Sequence, residues 1–520
     1  MKYFISLLLI ITSIIGGAYY LLFTGNGNDT LKPFINDYIS TQSGDYDIDL
    51  KNFRLTPSTI DLNITVNKSL DANINGDLNL LSQEFDLKYL LFSKSFKMKD
   101  FKLDEKIDLK GTVKGTPQKI SLEGLGKAIN SNLKYSLKTD DKEIHDIHID
   151  VEKGSLRSFL LLANQKPYLA GKFDLHVDMP KLDIENPTGK GSLVLHQGKV
   201  NRDLIKEDFN LTLPKDFQYS ADIHSNVKGS YASLDGKLKT TLADLFLKEG
   251  KIYIKSKKVE TNYTLDVPKL SRLEPITGKK LRGALKATGV AEFDKGVKIS
   301  GNSKSFGGDI SYVLKESKLD AKIASVPLTN IFHTLIAPKI FEGMIFGDVT
   351  YDLTTSKGKI DTKIDTVQLL PNQVTDILKN YVNIDLTKER YNQTTFTADL
   401  DDNLITFDFD AKSKKSYIAV KEGLVEKDKN TIDAKFDIKI DGKDFSGVIK
   451  GDMKKPKVKL DSSKYLKQKV SKEIGKFIDK KISDKTKQKV TDKLKEFGLG
   501  EANSSLNAED AIKGLIKGFF

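Results

Sequence analysis

The sequence predicts a mainly β protein. We expect a long curled antiparallel β-sheet forming an apolar groove, with an N-terminal transmembrane helix and C-terminal amphipathic helices. Three observations lead there. Residues 3–23 contain no Asp, Glu, Lys, Arg or His. From about Asp45 to Leu460 apolar residues recur with period two, the repeat of a strand whose successive side chains point to opposite faces. Beyond that the repeat shifts to three and four, and lysines crowd the other positions.

The uncharged run comes first. A helix rising about 1.5 Å per residue crosses a hydrocarbon core of roughly 30 Å with about 20 apolar residues. The run holds Leu7, Leu8, Leu9, Ile10, Ile11, Ile14, Ile15, Leu21 and Leu22. Lys2 precedes it and the next basic residue is Lys32, so the positive-inside bias puts the N-terminus in the cytoplasm and the bulk across the membrane. A cleaved signal peptide is the rival reading, with Gly16-Gly17-Ala18 as a small-x-small site, but Tyr19 to Phe23 extend the apolar run beyond it. The chain then divides into an anchor (1–23), a linker with a short amphipathic helix (24–44), an elongated β region (45–463) and basic amphipathic helices (464–520). The short helix covers Leu31–Ile39, with Phe34, Ile35, Tyr38 and Ile39 on one side and Ser43-Gly44 ending it.

In the β region Tyr46, Ile48 and Leu50 alternate with aspartates. Phe85, Leu87, Tyr89 and Leu91 repeat the pattern, as do Phe396, Ala398 and Leu400. The clearest runs are Ile405, Phe407, Phe409 and Ile432, Ala434, Phe436, Ile438, Ile440. Asn75-Gly76-Asp77, Leu234-Asp235-Gly236, Lys295-Gly296 and Asp441-Gly442-Lys443 read as turns. Strands opening on glycine, at Gly111, Gly171 and Gly347, recur without a fixed repeat length, which argues against a propeller or a short-repeat β-helix. At about 15 residues per strand and turn, the region holds on the order of 27 strands. Three apolar helices interrupt it, at Leu156–Leu162, Pro327–Ile340 and Pro371–Tyr381.

The C-terminal segment is of another kind. Leu466, Val470, Ile474, Ile478 and Ile482 recur every four residues, and Asn507 opens a last helix whose apolar face includes Ile512, Leu515, Ile516, Phe519 and Phe520. From Met453 to Gly500 there are sixteen lysines against six acidic residues. That segment holds most of the formal net charge of +12, so the bulk is nearly neutral and no nucleic-acid partner is expected. A basic segment on an exported, tethered protein matches an anionic lipid surface better. The 520 residues include no Cys, which excludes disulfides, thiolate metal sites and cysteine nucleophiles. No nucleophile elbow, phosphate loop or zinc motif appears, and no cofactor or catalysis is expected. His145 and His148, three apart on a strand, are expected on opposite faces and in solvent.

A long sheet with one apolar face must cover that face. Two comparable layers would make a sandwich or barrel. Otherwise the sheet curls into a trough whose apolar side another hydrophobic molecule fills. Tethered to a membrane, such a trough suits acyl chains, each buried methylene contributing about 0.8 kcal/mol. The candidate lipid-contacting positions are Ile405, Phe407, Phe409, Ile432, Phe436, Ile438 and Ile440. The candidate positions for docking on a membrane or an envelope partner are Ile512, Leu515, Ile516, Phe519 and Phe520.

In order and texture the chain resembles the AsmA-like family of Gram-negative envelope proteins, related to TamB and to the bridge-like lipid transfer proteins. The resemblance rests on the anchor followed by Lys32-Pro33-Phe34-Ile35 and Tyr46-Asp47-Ile48-Asp49-Leu50, and on Val113-Lys114-Gly115-Thr116-Pro117. It continues through Val326-Pro327-Leu328-Thr329-Asn330-Ile331 to Glu342-Gly343, and ends at Gly447-Val448-Ile449-Lys450-Gly451 and Lys455-Pro456-Lys457-Val458. It implies a single-pass inner-membrane protein with a periplasmic β-groove. Such a protein would conduct phospholipids toward the outer membrane and support its integrity, without catalytic residues. The alternative is a non-enzymatic assembly factor that lends its sheet edges to outer-membrane proteins.

Overall fold

The computed structural model describes residues 28–461, apart from 43–45, 57, 80, 99, 100, 104, 142, 184, 383 and 454. The anchor at 3–23 and the helices of 464–520, with Ile512, Leu515, Ile516, Phe519 and Phe520, lie outside the described residues. Among those described, no helix is long and apolar enough to cross a membrane.

Period-two patterning produces strands almost throughout. Twenty-eight of the thirty described strands belong to one antiparallel sheet that does not close on itself, and Phe96–Met98 pairs separately with Phe101–Leu103. Within each unit most strands pair with the next long strand in the chain, the arrangement that short connections favour. By packing, the chain falls into two units. The first is Met1–Lys280 with Ala284–Val297, and the second is Leu281–Gly283 with Lys298–Phe520.

The first unit opens with helix α1 (Asn28–Gln42) against strand Ile48–Leu55. Ile35 and Ile39 are 4% and 3% exposed and join the core, whereas Phe34 and Tyr38 are 71% and 44% exposed. The four-residue apolar side expected of this helix is therefore a two-residue stripe at i, i+4. The helix also covers the sheet's first edge. Asn36 Oδ1 accepts the Leu50 N–H at 2.7 Å, and Lys32 Nζ donates to the Lys51 carbonyl at 2.8 Å. Among the described residues Ile48–Leu55 pairs with Thr59–Val66 alone, so these two contacts occupy groups on its otherwise unpaired edge. The core continues through Leu50, Leu62, Ile74, Leu87 and Leu109 and ends at Tyr89 and Tyr135. Their rings lie over Gly111 and Gly124 of the intervening strands, where an added Cβ would sit 2.2 to 2.4 Å from the Tyr89 hydroxyl. Tyr89 donates to the Glu123 carbonyl at 3.0 Å, which leaves Tyr135 to donate to Tyr89 at 2.6 Å. Burial drives the Tyr135 hydroxyl up to about 12.

Three helical connections follow in this unit: α2 (Leu156–Leu162), α3 (Arg202–Phe209), and a 3₁₀ turn Leu270–Leu273 leading into α4 (Glu274–Thr277). All three leave the same set of strand ends, and only α2 was legible as an apolar run. Leu156 and Phe159 of α2 pack on the sheet through Phe173, the Phe159 and Phe173 rings lying 5.2 Å apart.

The second unit carries α5 (Leu328–Leu335) and α6 (Gln373–Val382) on its sheet. The helix expected over Pro327–Ile340 is shorter, because Pro327 is its extended N-cap and Ile336 turns left-handed at φ 56°. The buried cluster joins Val326, Leu328, Val367, Leu378, Leu386 and Tyr391 to the strands from Gln393 onward.

Two expected turns are strand interior. Gly76 lies within Leu70–Asn79 and Gly236 within Tyr231–Thr240. Gly111 and Gly347 likewise sit inside their strands rather than opening them. At Gly76 an added Cβ would fall 2.2 Å from the Asp86 carbonyl, so close backbone approach rather than a turn demands glycine there. Asp441-Gly442 is a true hairpin turn, with φ 47° and 74°.

Candidate functional site

The registers align the first unit's apolar residues in rows across the strands. One row runs Leu175, Leu193, Ile223, Gly236, Leu247, Tyr263, Gly289. The next runs Phe173, Leu195, Ala221, Leu238, Leu245, Leu265, Ala287. With neighbouring strands about 4.8 Å apart, seven positions span on the order of 30 Å. The opposite face carries Asp150, His176, Ser192, His224 and Asp235 in register. Leu193, Ile223, Leu234, Leu245, Leu247 and Leu265 are half-buried, and Leu238 is 36% exposed. Helix α2 packs at one end of these rows, on Phe173, and among the described residues no second sheet crosses the rest. It is an apolar face that the described residues leave partly uncovered.

The seven residues singled out by sequence fall in the second unit, on one face. Phe396, Phe409, Val420, Phe436, Gly447 and Leu460 form a row, and Ala411, Ile418, Ile438 and Phe445 form its neighbour. Ile405 pairs with Val425 and through it with Ile432, and Phe407 pairs with Gly423. The shared face is as expected, but the environment differs along it. Phe409, Phe436, Ile438 and Ile440 are 6%, 3%, 1% and 6% exposed and belong to the cluster that includes Leu378 and Leu386. Only Ile405, Phe407 and Ile432 are half-buried. The most regular apolar strands are thus the ones covered by protein. The half-buried positions Leu193, Ile223 and Leu247 were missed because glycine, serine and bulges interrupt their alternation.

Bulges also relocate polar groups. His145 and His148 do not face opposite ways. The register shift between them sets His145 opposite Lys138 and His148 opposite Ser136, two residues apart on one strand and so on one face. Asp146, at φ 53°, is the extra residue. Both histidines remain partly solvent-exposed, as expected. Five histidines each lie beside an aspartate, closest for His176 with Asp150 at 2.5 Å and His196 with Asp174 at 2.8 Å. Among the described residues no three such side chains converge as metal ligands.

At three bulges the outer-face aspartates hold the backbone. The N–H groups of Lys153, Glu249 and Glu422, residues at φ 54°, 54° and 52°, donate to Asp174, Asp235 and Asp408 of neighbouring strands at 2.7, 3.0 and 2.8 Å. The Lys153 hydrogen bond, with His196 alongside, holds the Asp174 carboxyl below the usual carboxylate range. These carboxylates have donors to satisfy, and nothing marks them as a general acid–base pair.

No protein-family model matches the chain, and no curated protein matches it.

Proposed function

We propose that this chain is a membrane-tethered carrier of phospholipid acyl chains, which it shields along the apolar strand face. The reading places it in the inner membrane through residues 3–23, with its bulk in the periplasm, conducting phospholipid between inner and outer membranes. It also places the chain in the AsmA-like family and makes it non-enzymatic. One observation carries the proposal: the half-buried rows through Leu193, Ile223 and Leu247, polar on the reverse side and crossed by no second layer among the described residues. Apolar surface left in water costs about 25 cal/mol per Å², and a long aliphatic ligand matches rows that run perpendicular to the strands. Edge-strand donation to client proteins draws no support from the first strand, whose Leu50 N–H and Lys51 carbonyl Asn36 and Lys32 already occupy.

The test is photo-crosslinking in cells, with a benzophenone amino acid at Ile223 or Leu247 and at His224 on the opposite face. Phospholipid adducts at the first two sites and none at the third are expected. Equal labelling at all three, or none anywhere, would refute the proposal.

A further inference from the structure

The proposed lipid path raises the question of where the polar end of an amphiphile rests, and this inference depends on that reading. The first unit's strands end on two rims. The chain has six arginines, and Arg157, Arg202 and Arg272 lie on the rim that bears α2, α3 and the 3₁₀ turn. Arg54, near the end of Ile48–Leu55, lies on the other. Arg272 is paired with Asp216. Arg157 and Arg202 are exposed, and among the described residues neither makes an ion pair. Helix stability does not explain Arg202, because a cation in a first turn opposes the helix dipole. Their setting is also amphiphilic. Beside Arg157, Phe159, Leu161 and Leu162 are 38%, 40% and 38% exposed, and α2 packs through Phe173 onto the apolar rows themselves. Strands Glu143–Ser155 and Thr188–Val200, which lead into α2 and α3, are two strand spacings apart, or about 10 Å. A guanidinium's planar fork donates twice to a phosphate, as the Arg272 guanidinium pairs with a carboxylate on this rim, so an arginine without an ion pair is equipped to take one.

We infer that the helix-bearing rim of the first unit binds the phosphate of a glycerophospholipid through Arg157 and Arg202 while its acyl chains lie on the adjoining apolar rows. The occupant is a phosphate-bearing, two-chain lipid, and a neutral diacylglycerol lacks the group these residues recognise.

The experiment uses the full chain in detergent-free nanodiscs, with donor vesicles of phosphatidylcholine holding labelled phosphatidylglycerol or labelled diacylglycerol of the same acyl chains. In R157Q/R202Q, uptake of phosphatidylglycerol should fall about tenfold, as expected for two exposed charge-assisted contacts, while diacylglycerol uptake stays within about twofold. R54Q, on the opposite rim, should match the unsubstituted protein. Unchanged phosphatidylglycerol uptake in R157Q/R202Q, or an equal fall for both lipids, would overturn the assignment. Inorganic phosphate bound at these arginines with phosphatidylglycerol uptake undiminished would overturn it too, making the site one for free phosphate. If the unsubstituted protein takes up neither lipid, the acyl-chain reading itself fails, and this inference goes with it.

Discussion

Aspartate introduced at Ile438 and at Ile223 should have opposite consequences. Ile438 is 1% exposed and faces Ile418 and Phe445 across its two neighbours, themselves 6% and 1% exposed. Replacing it removes about 2 to 3 kcal/mol of apolar burial. It also places a carboxyl among groups that cannot hydrogen-bond it, at about 2 kcal/mol or more even if the acid takes up a proton. A total near 5 kcal/mol is comparable to the stability of a whole domain. Strands Ser416–Glu426 and Thr431–Ile440 should therefore lose amide protection. Ile223 is half-buried, and its row neighbours are Leu193 and Gly236. Aspartate there keeps access to water and should cost about 1 kcal/mol. Protection of Gln218–Lys228 should survive while co-purifying phospholipid falls several-fold. Hydrogen exchange read by mass spectrometry, with lipid analysis of the same samples, measures both. Unchanged protection in the Ile438→Asp variant would mean that the second unit's apolar cluster is not a protein core. Unchanged lipid in the Ile223→Asp variant would remove the first unit's rows from the lipid path.

Three further outcomes are expected. Gly124→Ala places a methyl 2.2 Å from the Tyr89 hydroxyl and 2.4 Å from Tyr135 Cζ, so about 1 to 3 kcal/mol of overpacking should lower protection in Lys119–Ala128 and Ser131–Asp140. Wild-type exchange rates there would contradict the ring-over-glycine packing. Asn36→Ala strips the Leu50 N–H of its acceptor, costing about 1 kcal/mol and baring the edge strand, so sedimentation should detect self-association; a persistent monomer would count against that edge role. Burial pushes the Tyr391 hydroxyl up to about 12 against about 10 in the unfolded chain. The folded state thus holds its proton where the unfolded state has lost it, so this contribution is full below about pH 10 and disappears as pH rises through 12. Tyr391→Phe should flatten that alkaline decline in urea midpoint, and equal slopes would exclude Tyr391 as its source.

Fold class was legible because a one-faced sheet announces itself. Phe85, Leu87, Tyr89 and Leu91 are all buried, at 8%, 0%, 4% and 2%, as strict alternation requires. The strand count was close for the same reason, since consecutive strands joined by short connections leave little freedom in length. Helix α3 was not legible. Its eight residues bury no side chain, so no apolar stripe marks it, and its signals are local: Asn201 accepting from the Leu204 N–H and Asn210 left-handed at its end. Gly76 and Gly236 misled because they resemble turn residues, whereas both lie inside strands, Gly76 where the backbone of Asp86 approaches closely.

The site was harder to read because period two survives only while the register does. Each extra residue at a bulge exchanges the two faces downstream, so counting straight through Asp146, Lys153, Glu249, Ser325, Thr366 or Glu422 assigns the rest of the strand to the wrong side. The sequence does carry a trace of this, in the aspartates one strand away that receive the bulge N–H groups of Lys153, Glu249 and Glu422. Seen only as alternation, Asp174 and Asp235 are water-facing residues like any others. The strands with the cleanest alternation, around Phe436 and Ile438, pack with helix α6 and its neighbours in a close-packed core, although bulges at Ser325, Thr366 and Glu422 border it. A face that takes a fluid ligand needs no such match to fixed protein neighbours. Beside Leu193, Ile223 and Leu247 glycine, serine and bulges interrupt the alternation, so on the proposed reading weak patterning on a well-paired sheet is compatible with a ligand-bearing face, and that is the surface to test first.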